Sequence, residues 1–235
     1  QQTPEFANFT VISNQDITFE QHSFLQSKIN SMTLITNGSI SFGKQCFQKT
    51  TNLNTFIVNA SGDLFFDEHS FLGSSIYSIS INTTGSIDFS KQSFQNCLKL
   101  TNFNIETPSD VTFGQQCFHN SQVQEVIITS PEKTASNSVK LSSSTVTFEK
   151  QSFGQCEQLS QVNINTYGNV NILSNSFKNS KSLSNVVIDT TGKATVADFA
   201  FSGCKSLSSV EVTGGGTSDI SDKAYQNGGD DEGKK

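Results

Sequence analysis

Arginine and tryptophan are absent from this 235-residue chain, and methionine occurs once. All 15 basic residues are therefore lysines, against 21 acidic residues, and the formal net charge is −6. Arginine is the usual bidentate reader of phosphate groups and of guanine. Its absence, together with the negative charge, argues against nucleic acid and against an anionic membrane surface as partners.

Long apolar runs are also missing. Since a membrane-spanning helix needs roughly eighteen or more consecutive apolar residues, we expect no direct membrane insertion by this segment. The opening QQTPEFANFT has neither a basic start nor an apolar stretch, and we predict no signal peptide there. The chain is then either cytosolic or a processed part of an extracellular protein, and composition leaves both open.

The motifs of common catalytic and metal sites are missing as well. The sequence has no G-x-S-x-G elbow, no phosphate-binding loop and no C-x-x-C pair. The acidic residues are scattered, whereas a glycoside hydrolase needs facing carboxylates. His22, His69 and His119 have no neighbouring cysteine or carboxylate ligands, and we predict that they lie on the surface. We therefore expect no enzyme activity, no cofactor and no metal.

What the chain does contain is a repeat. An aromatic residue, called the anchor here, recurs every 23 or 24 residues, apart from one interval of 35 residues. The anchors are Phe24, Phe47, Phe71, Phe94, Phe118, Phe153, Phe177, Phe201 and Tyr225. A fixed period in this range is the signature of a solenoid of stacked coils. We predict that the eight anchor phenylalanines form a column of touching rings in the core.

Each coil contains two strand patterns. The first is short, as in Ile87-Asp88-Phe89, and the second is an apolar triplet, as in Leu100, Phe103 and Ile105. Apolar and polar residues alternate in both, which is the period of a half-buried strand. Polar, glycine-containing segments such as 82–86 (NTTGS) are predicted to be the turns between coils. The fold class is therefore a mainly β repeat solenoid with two short parallel strands per repeat of 23–24 residues.

The repeat also divides the chain. Residues 1–217 form a single solenoid, with half a coil over 1–16 and eight coils over 17–217. Residues 218–235 are a partial ninth coil and a polar tail. The interval of 35 residues between the anchors Phe118 and Phe153 predicts an insertion loop at 129–145 in coil five. Insertions in repeat proteins map to loops on one face, often the binding face; the alternative is a tolerated surface loop.

The five cysteines fall at two repeat positions. Cys97, Cys156 and Cys204 lie three residues after an anchor, and Cys46 and Cys117 lie just before one. Cys97 and Cys156 are two coils apart, about 10 Å by strand spacing. A disulfide needs Cα atoms within about 7 Å. We therefore predict buried free thiols that act as small hydrophobic residues.

The repeat has a recognisable core. The segments 199–212 (FAFSGCKSLSSVEV) and 152–164 (SFGQCEQLSQVNI) follow the pattern A-F-x-x-C-x-x-L-x-x-V-x-I. This pattern resembles the BspA-like leucine-rich repeats, and the resemblance covers almost the entire chain. It implies a leucine-rich-repeat-like, right-handed or curved stack of coils. It also implies an extracellular or cell-surface protein of bacteria or protists, membrane-anchored in its full-length form, that adheres to host proteins, other cells or matrix.

Two sets of residues are candidates for function. Sequons of the N-x-S/T type begin at Asn8, Asn37, Asn59 and Asn82, and the last three are predicted to lie in inter-coil turns, where a glycan would be solvated. The candidate binding surface combines the outward side of the triplet strands with the insertion. Its residues are Tyr77, Thr101, Asn102, Asn104, Glu132, Lys133 and Lys140.

The sequence therefore favours a non-enzymatic scaffold for adhesion or protein–protein interaction, with proteins or glycans at a cell surface as its partners. The second hypothesis is a structural protein whose solenoid ends stack into homotypic assemblies or filaments. Open coil ends expose strand edges, which in repeat proteins normally need caps.

Overall fold

The computed structural model describes residues 8–131 and 144–227, which form two parallel nine-stranded β-sheets joined coil by coil. The long-strand sheet contains β1 (Asn8–Ser13), β3 (Ser31–Thr36), β5 (Thr55–Ala60), β7 (Ser78–Thr83), β9 (Asn102–Glu106), β11 (Glu125–Thr129), β13 (Gln161–Thr166), β15 (Asn185–Thr190) and β17 (Glu211–Thr213). The short-strand sheet contains β2 (Ile17–Phe19), β4 (Ile40–Phe42), β6 (Leu64–Phe66), β8 (Ile87–Phe89), β10 (Val111–Phe113), β12 (Val146–Phe148), β14 (Val170–Ile172), β16 (Lys193–Val196) and β18 (Thr217–Ile220). Within these residues no helix is long and apolar enough to cross a bilayer.

Every strand pairs in parallel with its counterpart one coil away. Phe42, for example, lies opposite Phe19 of the preceding coil and Phe66 of the following one. This confirms the predicted mainly β solenoid. Because neighbouring strands lie about 4.8 Å apart, each repeat position becomes a column of side chains that runs along the solenoid.

Most long strands extend two residues beyond the apolar pattern, and β9, β11 and β17 extend one residue beyond it. Their last residues include Thr36, Thr83 and Thr190, which are buried although they are polar. The Thr83 hydroxyl donates to the carbonyl of Gly62 at 2.6 Å and accepts from the amide of Gly85 at 3.1 Å. These hydrogen bonds keep in the strand two residues that the sequence pattern places in the turn, so the predicted turns are too long.

Two columns of rings fill the space between the sheets. The anchor column runs from Phe24 to Tyr225, with neighbouring centroids 4.5–5.8 Å apart and ring planes within 18° of parallel. A second column runs along the short strands from Phe19 to Phe148, at 4.6–5.4 Å. The two columns meet edge to face, a favourable arrangement of aromatic quadrupoles. The anchor phenylalanines are buried except Phe24, which is only partly buried because it belongs to the first coil.

The anchor lies between two backbone positions in the left-handed region. Around Phe94 these are Gln92 at φ 56° and Asn96 at φ 59°. A non-glycine residue pays roughly 1–2 kcal/mol for this conformation. In return the Phe94 amide donates to the carbonyl of Cys117 at 2.7 Å, and the Gln92 side chain lies 2.8 Å from His69 Nε2. The residues from two positions before to two positions after each anchor are called the anchor segment here. Hydrogen bonds between the anchor segments of neighbouring coils thus form a third ladder along the solenoid.

In coils four to eight, the residue three positions after the anchor donates to the anchor carbonyl of the preceding coil. Cys156 Sγ donates to Phe118 O at 3.1 Å, and Ser121 Oγ donates to Phe94 O at 2.9 Å. Burial raises the pKa of the thiol to about 12 in Cys97, Cys156 and Cys204. All five cysteines are free and buried, as predicted. At this position sulfur replaces oxygen as a hydrogen-bond donor inside the core.

In the sequence, the coil-five insertion lies between β11 and β12. Most of it, residues 132–143, lies outside the described residues. At its start Ser130 Oγ donates to Thr107 O at 3.0 Å, and at its end Ser144 Oγ lies 2.8 Å from Thr166 Oγ1. Hydrogen bonds to coils four and six therefore fix both ends of the insertion.

Candidate interaction surface

The outward side of the long-strand sheet, called the open face here, consists of three columns, because alternate residues of each strand point away from the core. The first column is Asn8, Ser31, Thr55, Ser78, Asn102, Glu125, Gln161 and Asn185. The middle column is Thr10, Thr33, Ile57, Ser80, Asn104, Ile127, Asn163, Val187 and Glu211. The last column is Ile12, Ile35, Asn59, Asn82, Glu106, Thr129, Asn165, Asp189 and Thr213.

Five apolar residues of the open face were missed by sequence reasoning. They are Ile12, Ile35, Ile57, Ile127 and Val187. Ile12 is 74% exposed, and its register partner Ile35 is 39% exposed. The alternation of apolar and polar residues does not identify them, because a strand such as β11, with sequence EVIIT, is apolar at inward and outward positions alike. Fixing the inward register from the neighbouring coils would have revealed them.

Two shallow depressions meet on the open face at Ile127. Residues that line the first include Thr101, Asn102, Asn104, Gln124, Glu125, Ile127, Ser160 and Gln161. Residues that line the second include Ile127, Thr129, Asn163, Asn165, Val187 and Asp189. Together they span coils four to seven, on either side of an isoleucine.

The structure brings part of the predicted binding surface together. Thr101, Asn102 and Asn104 line the first depression. Tyr77 lies one coil earlier, 47% exposed, and its carbonyl accepts from the Thr101 amide at 3.0 Å. The remaining predicted residues lie outside the described part of the chain: Glu132, Lys133 and Lys140.

Hydrogen bonds between coils five and six order the junction of the depressions. Asn163 Nδ2 donates to Glu125 Oε1 at 2.8 Å, which ties the middle column to the first. Beside them Ser160 Oγ donates to Gln124 O at 3.1 Å. The junction therefore presents a carboxylate, side-chain amides and an isoleucine in fixed positions, a combination suited to the backbone and side chains of an extended peptide.

The sequons lie in the first coils of the solenoid, and two of them are not in turns as predicted. Asn59 lies in β5 and Asn82 in β7, exposed and paired in register, because the long strands continue past the apolar pattern. Asn8 begins β1. Asn37 does lie between strands, where its Nδ2 donates to Asn14 Oδ1 at 3.1 Å. All four belong to coils up to the third.

Charge on the open face is of one sign and lies at the other end. The acidic residues of its three columns are Glu106, Glu125, Asp189 and Glu211, and no lysine occurs in the columns. Lysines of the described residues lie elsewhere: Lys44 and Lys181, for example, pair with Glu68 and Glu157 at 3.6 and 3.1 Å. Coils four to eight of the open face are thus acidic, while the first coils are neutral.

The short-strand sheet presents a narrower outer surface, one outward residue per three-residue strand. Phe65 is 41% exposed there, and its register partner is Asp88. Burial raises the pKa of the Asp88 carboxyl, and repulsion from Glu149 and Asp67 adds to the shift. This sheet supplies matched control positions for substitutions on the open face.

The three histidines are not brought together. His22 and His69 each bond a glutamine of the next coil, at 2.7 and 2.8 Å. His119 is half-buried, and its Nδ1 atom is buried without a partner among the described residues. In the same part of the chain no group of three or more His, Cys, Asp or Glu residues could hold a metal ion.

The family model for the BspA type leucine rich repeat region matches residues 17–138 and 132–229, with six copies. The chain belongs to this family. No curated protein and no solved structure matches it.

The BspA-type pattern describes the inside of the solenoid. In the repeat at 199–212, Ala200 and the anchor Phe201 are buried, Cys204 Sγ donates to the carbonyl of Phe177, and Leu207 is buried as well. Open-face residues occupy the unspecified positions between these. The BspA-type motif therefore sets the scaffold and leaves the residues of the open face unspecified.

Proposed function

We propose that this chain is a non-enzymatic, cell-surface or extracellular scaffold that adheres to a partner protein through the open face. Membership of the BspA-type family supports a repeat scaffold for protein interaction. The observation that carries the proposal is the pair of depressions that meet at Ile127, on a face whose residues the repeat motif leaves unspecified.

The physics of the open face suits binding. Each interior strand is paired on both sides, so the outward side chains are held in place before a partner arrives, which lowers the entropic cost of association. Ile57, Ile127 and Val187 offer apolar contact beside side-chain amides. The face lacks clusters of the large aromatic residues that dominate strong interfaces. We therefore expect modest affinity for one copy and stronger adhesion from many copies on one surface.

Bead adhesion tests the proposal. Beads coated with the purified protein are applied to a panel of purified extracellular-matrix proteins and glycans. We expect Ile127→Lys to reduce the bound beads by about tenfold, because a partner that covers the junction of the depressions would have to desolvate the new charge. The matched control is Phe65→Lys on the short-strand sheet, and circular dichroism checks the fold of both variants. Equal losses from the two variants, or no adhesion by the unaltered protein, would refute the proposal.

Glycosylation at the four sequons is compatible with binding through coils four to eight of the open face. In a secreted protein, glycans on Asn8, Asn37, Asn59 and Asn82 would cover the first coils and leave coils four to eight accessible. Asn59 and Asn82 lie about 4.8 Å apart across one strand pair, so we expect the two sites to compete for occupancy. Glycopeptide mass spectrometry after expression in a eukaryotic secretory host would measure this.

End-to-end self-association is the second candidate function. Phe24 and Tyr225, at the two ends of the anchor column, are only partly buried. Among the described residues β1 and β18 each pair on one side. An unpaired edge of this kind is a template for another strand. Light scattering across concentrations tests the idea: a mass that rises with concentration supports stacking, and a constant monomer mass removes it.

A further inference from the structure

The charge and spacing of the open face indicate what kind of partner it fits. We propose that coils four to seven of the open face bind an extended protein segment that carries two basic residues four positions apart with an apolar residue between them. The inference rests on the proposed function of this face and adds the chemistry of the partner.

The basic residues follow from the last column. Glu106 and Asp189 belong to that column and are separated by three strand pairings, through Thr129 and Asn165. Three pairings correspond to about 14 Å at the spacing of neighbouring strands. In an extended peptide, residues i and i+4 point the same way and lie about 13–14 Å apart. Two lysines or arginines at that spacing can therefore each face one carboxylate.

The apolar residue follows from the second depression. Ile127 and Val187 stand two coils apart in the middle column, with Asn163 between them. A side chain at i+2 of the peptide falls midway between the two carboxylates, beside this gap. The amides of Asn163 and Asn165 line the same depression, where they can bind the peptide backbone.

Electrostatics selects the sign of the partner. The columns of the open face carry four carboxylates and no lysine, so these columns would repel an acidic segment or an anionic glycan. Exposed charges interact within about 8 Å at physiological ionic strength. Binding of the basic segment should therefore weaken as salt is added.

The test uses defined peptides immobilised at high density on a biosensor surface. The first contains Lys-Thr-Val-Thr-Lys between glycine linkers, the second has glutamate in place of lysine, and the third has the same composition with the lysines adjacent. We expect the protein to bind the first at least fivefold more strongly than the other two. Raising the salt from about 20 to about 500 mM should reduce this binding by about tenfold.

Two double variants with the same change in net charge locate the site. Glu106→Gln with Asp189→Asn removes the proposed partners of the lysines, and we expect at least a fivefold loss of binding. Asp88→Asn with Glu149→Gln acts on the short-strand side and should leave binding unchanged. Equal losses, or equal binding of the lysine and glutamate peptides, would overturn the inference.

The bead assay separates this inference from the proposed function. If Ile127→Lys abolishes adhesion to a matrix protein but the lysine peptide does not bind, the open face is the functional surface and the basic partner is wrong. If the peptide binds as expected while Ile127→Lys leaves adhesion intact, adhesion does not use this face and the proposed function is wrong.

Discussion

Ser93 and Ser176 occupy the same repeat position, just before an anchor, but only one of the two hydroxyls has a partner. Ser176 Oγ donates to Phe148 O at 2.9 Å, whereas Ser93 Oγ is buried without a partner among the described residues. Ala200 fills the same position in coil eight. We expect Ser93→Ala to leave the free energy of unfolding unchanged or raise it by up to about 1 kcal/mol, and Ser176→Ala to lower it by about 1 kcal/mol. Chemical denaturation would measure both, and equal losses would contradict the hydrogen-bond assignment.

His119 makes stability depend on pH. Burial lowers the pKa of its imidazole, and a hydrogen bond with Gln155 acts in the opposite sense. The folded chain therefore binds the proton less readily than the unfolded chain. The stabilisation is complete above the unfolded-state pKa, about 6.5, and is lost as the pH falls below it. Thermal melts at pH 7.5 and 5 should show a larger fall in melting temperature for the unaltered protein than for His119→Gln. An equal fall in both would contradict the burial of Nδ1.

For single residues, the sequence predicts which side chains share a column but not which hydrogen-bond partner each one has. The period places Cys156 in the core as a free thiol. Its hydrogen bond to the carbonyl of Phe118 depends on left-handed residues beside the anchor, such as Gln116 and Asn120. Glutamine and asparagine at those positions look like ordinary surface residues in the sequence, so the shape of the anchor segment could not be derived from it.

At the scale of elements, the anchor segment owes its shape to backbone conformation. Gly73 follows the anchor Phe71 by two positions at φ +65°, and the nearest atom to an added Cβ is Lys49 Cγ at 3.8 Å. Space is therefore available, but the conformation is unfavourable for β-branched residues. We expect Gly73→Val to lower the free energy of unfolding by about 1–2 kcal/mol and Gly73→Asn by less than about half of that. Urea denaturation of the two variants would decide, and similar losses would show that φ does not control this position.

The strands illustrate where sequence patterns lose information. Short strands such as β8 match the predicted I-x-F unit residue for residue. The long strands are longer than predicted, since the fit of Thr83 into the core depends on a carbonyl of another coil. For the same reason the sequence places Asn59 and Asn82 in turns, whereas in the structure they lie in strands on the open face. Hydrogen bonds between coils, which a single repeat does not reveal, set these boundaries.

At the scale of the whole molecule, the period of the anchors was sufficient to predict the solenoid, because each coil contacts its neighbours in the same way. The candidate site was predicted only in part. Thr101, Asn102 and Asn104 follow from outward alternation, but the depressions arise where the larger Ile127 stands between Asn104 and Asn163 in neighbouring coils. The shape of the surface depends on which residues become neighbours in a column. The strand register must therefore be known before the depressions can be predicted.

Stacked anchor rings hold the coils of the solenoid together. The most direct measurement compares Phe94→Ala with Phe65→Ala in denaturation experiments. Phe94 is buried between Phe71 and Phe118, at 4.5 and 5.0 Å, whereas Phe65 is 41% exposed. We predict a loss of about 3–5 kcal/mol for Phe94→Ala and of no more than about 0.5 kcal/mol for Phe65→Ala. Equal losses from the two substitutions would show that the anchor column does not hold the coils together.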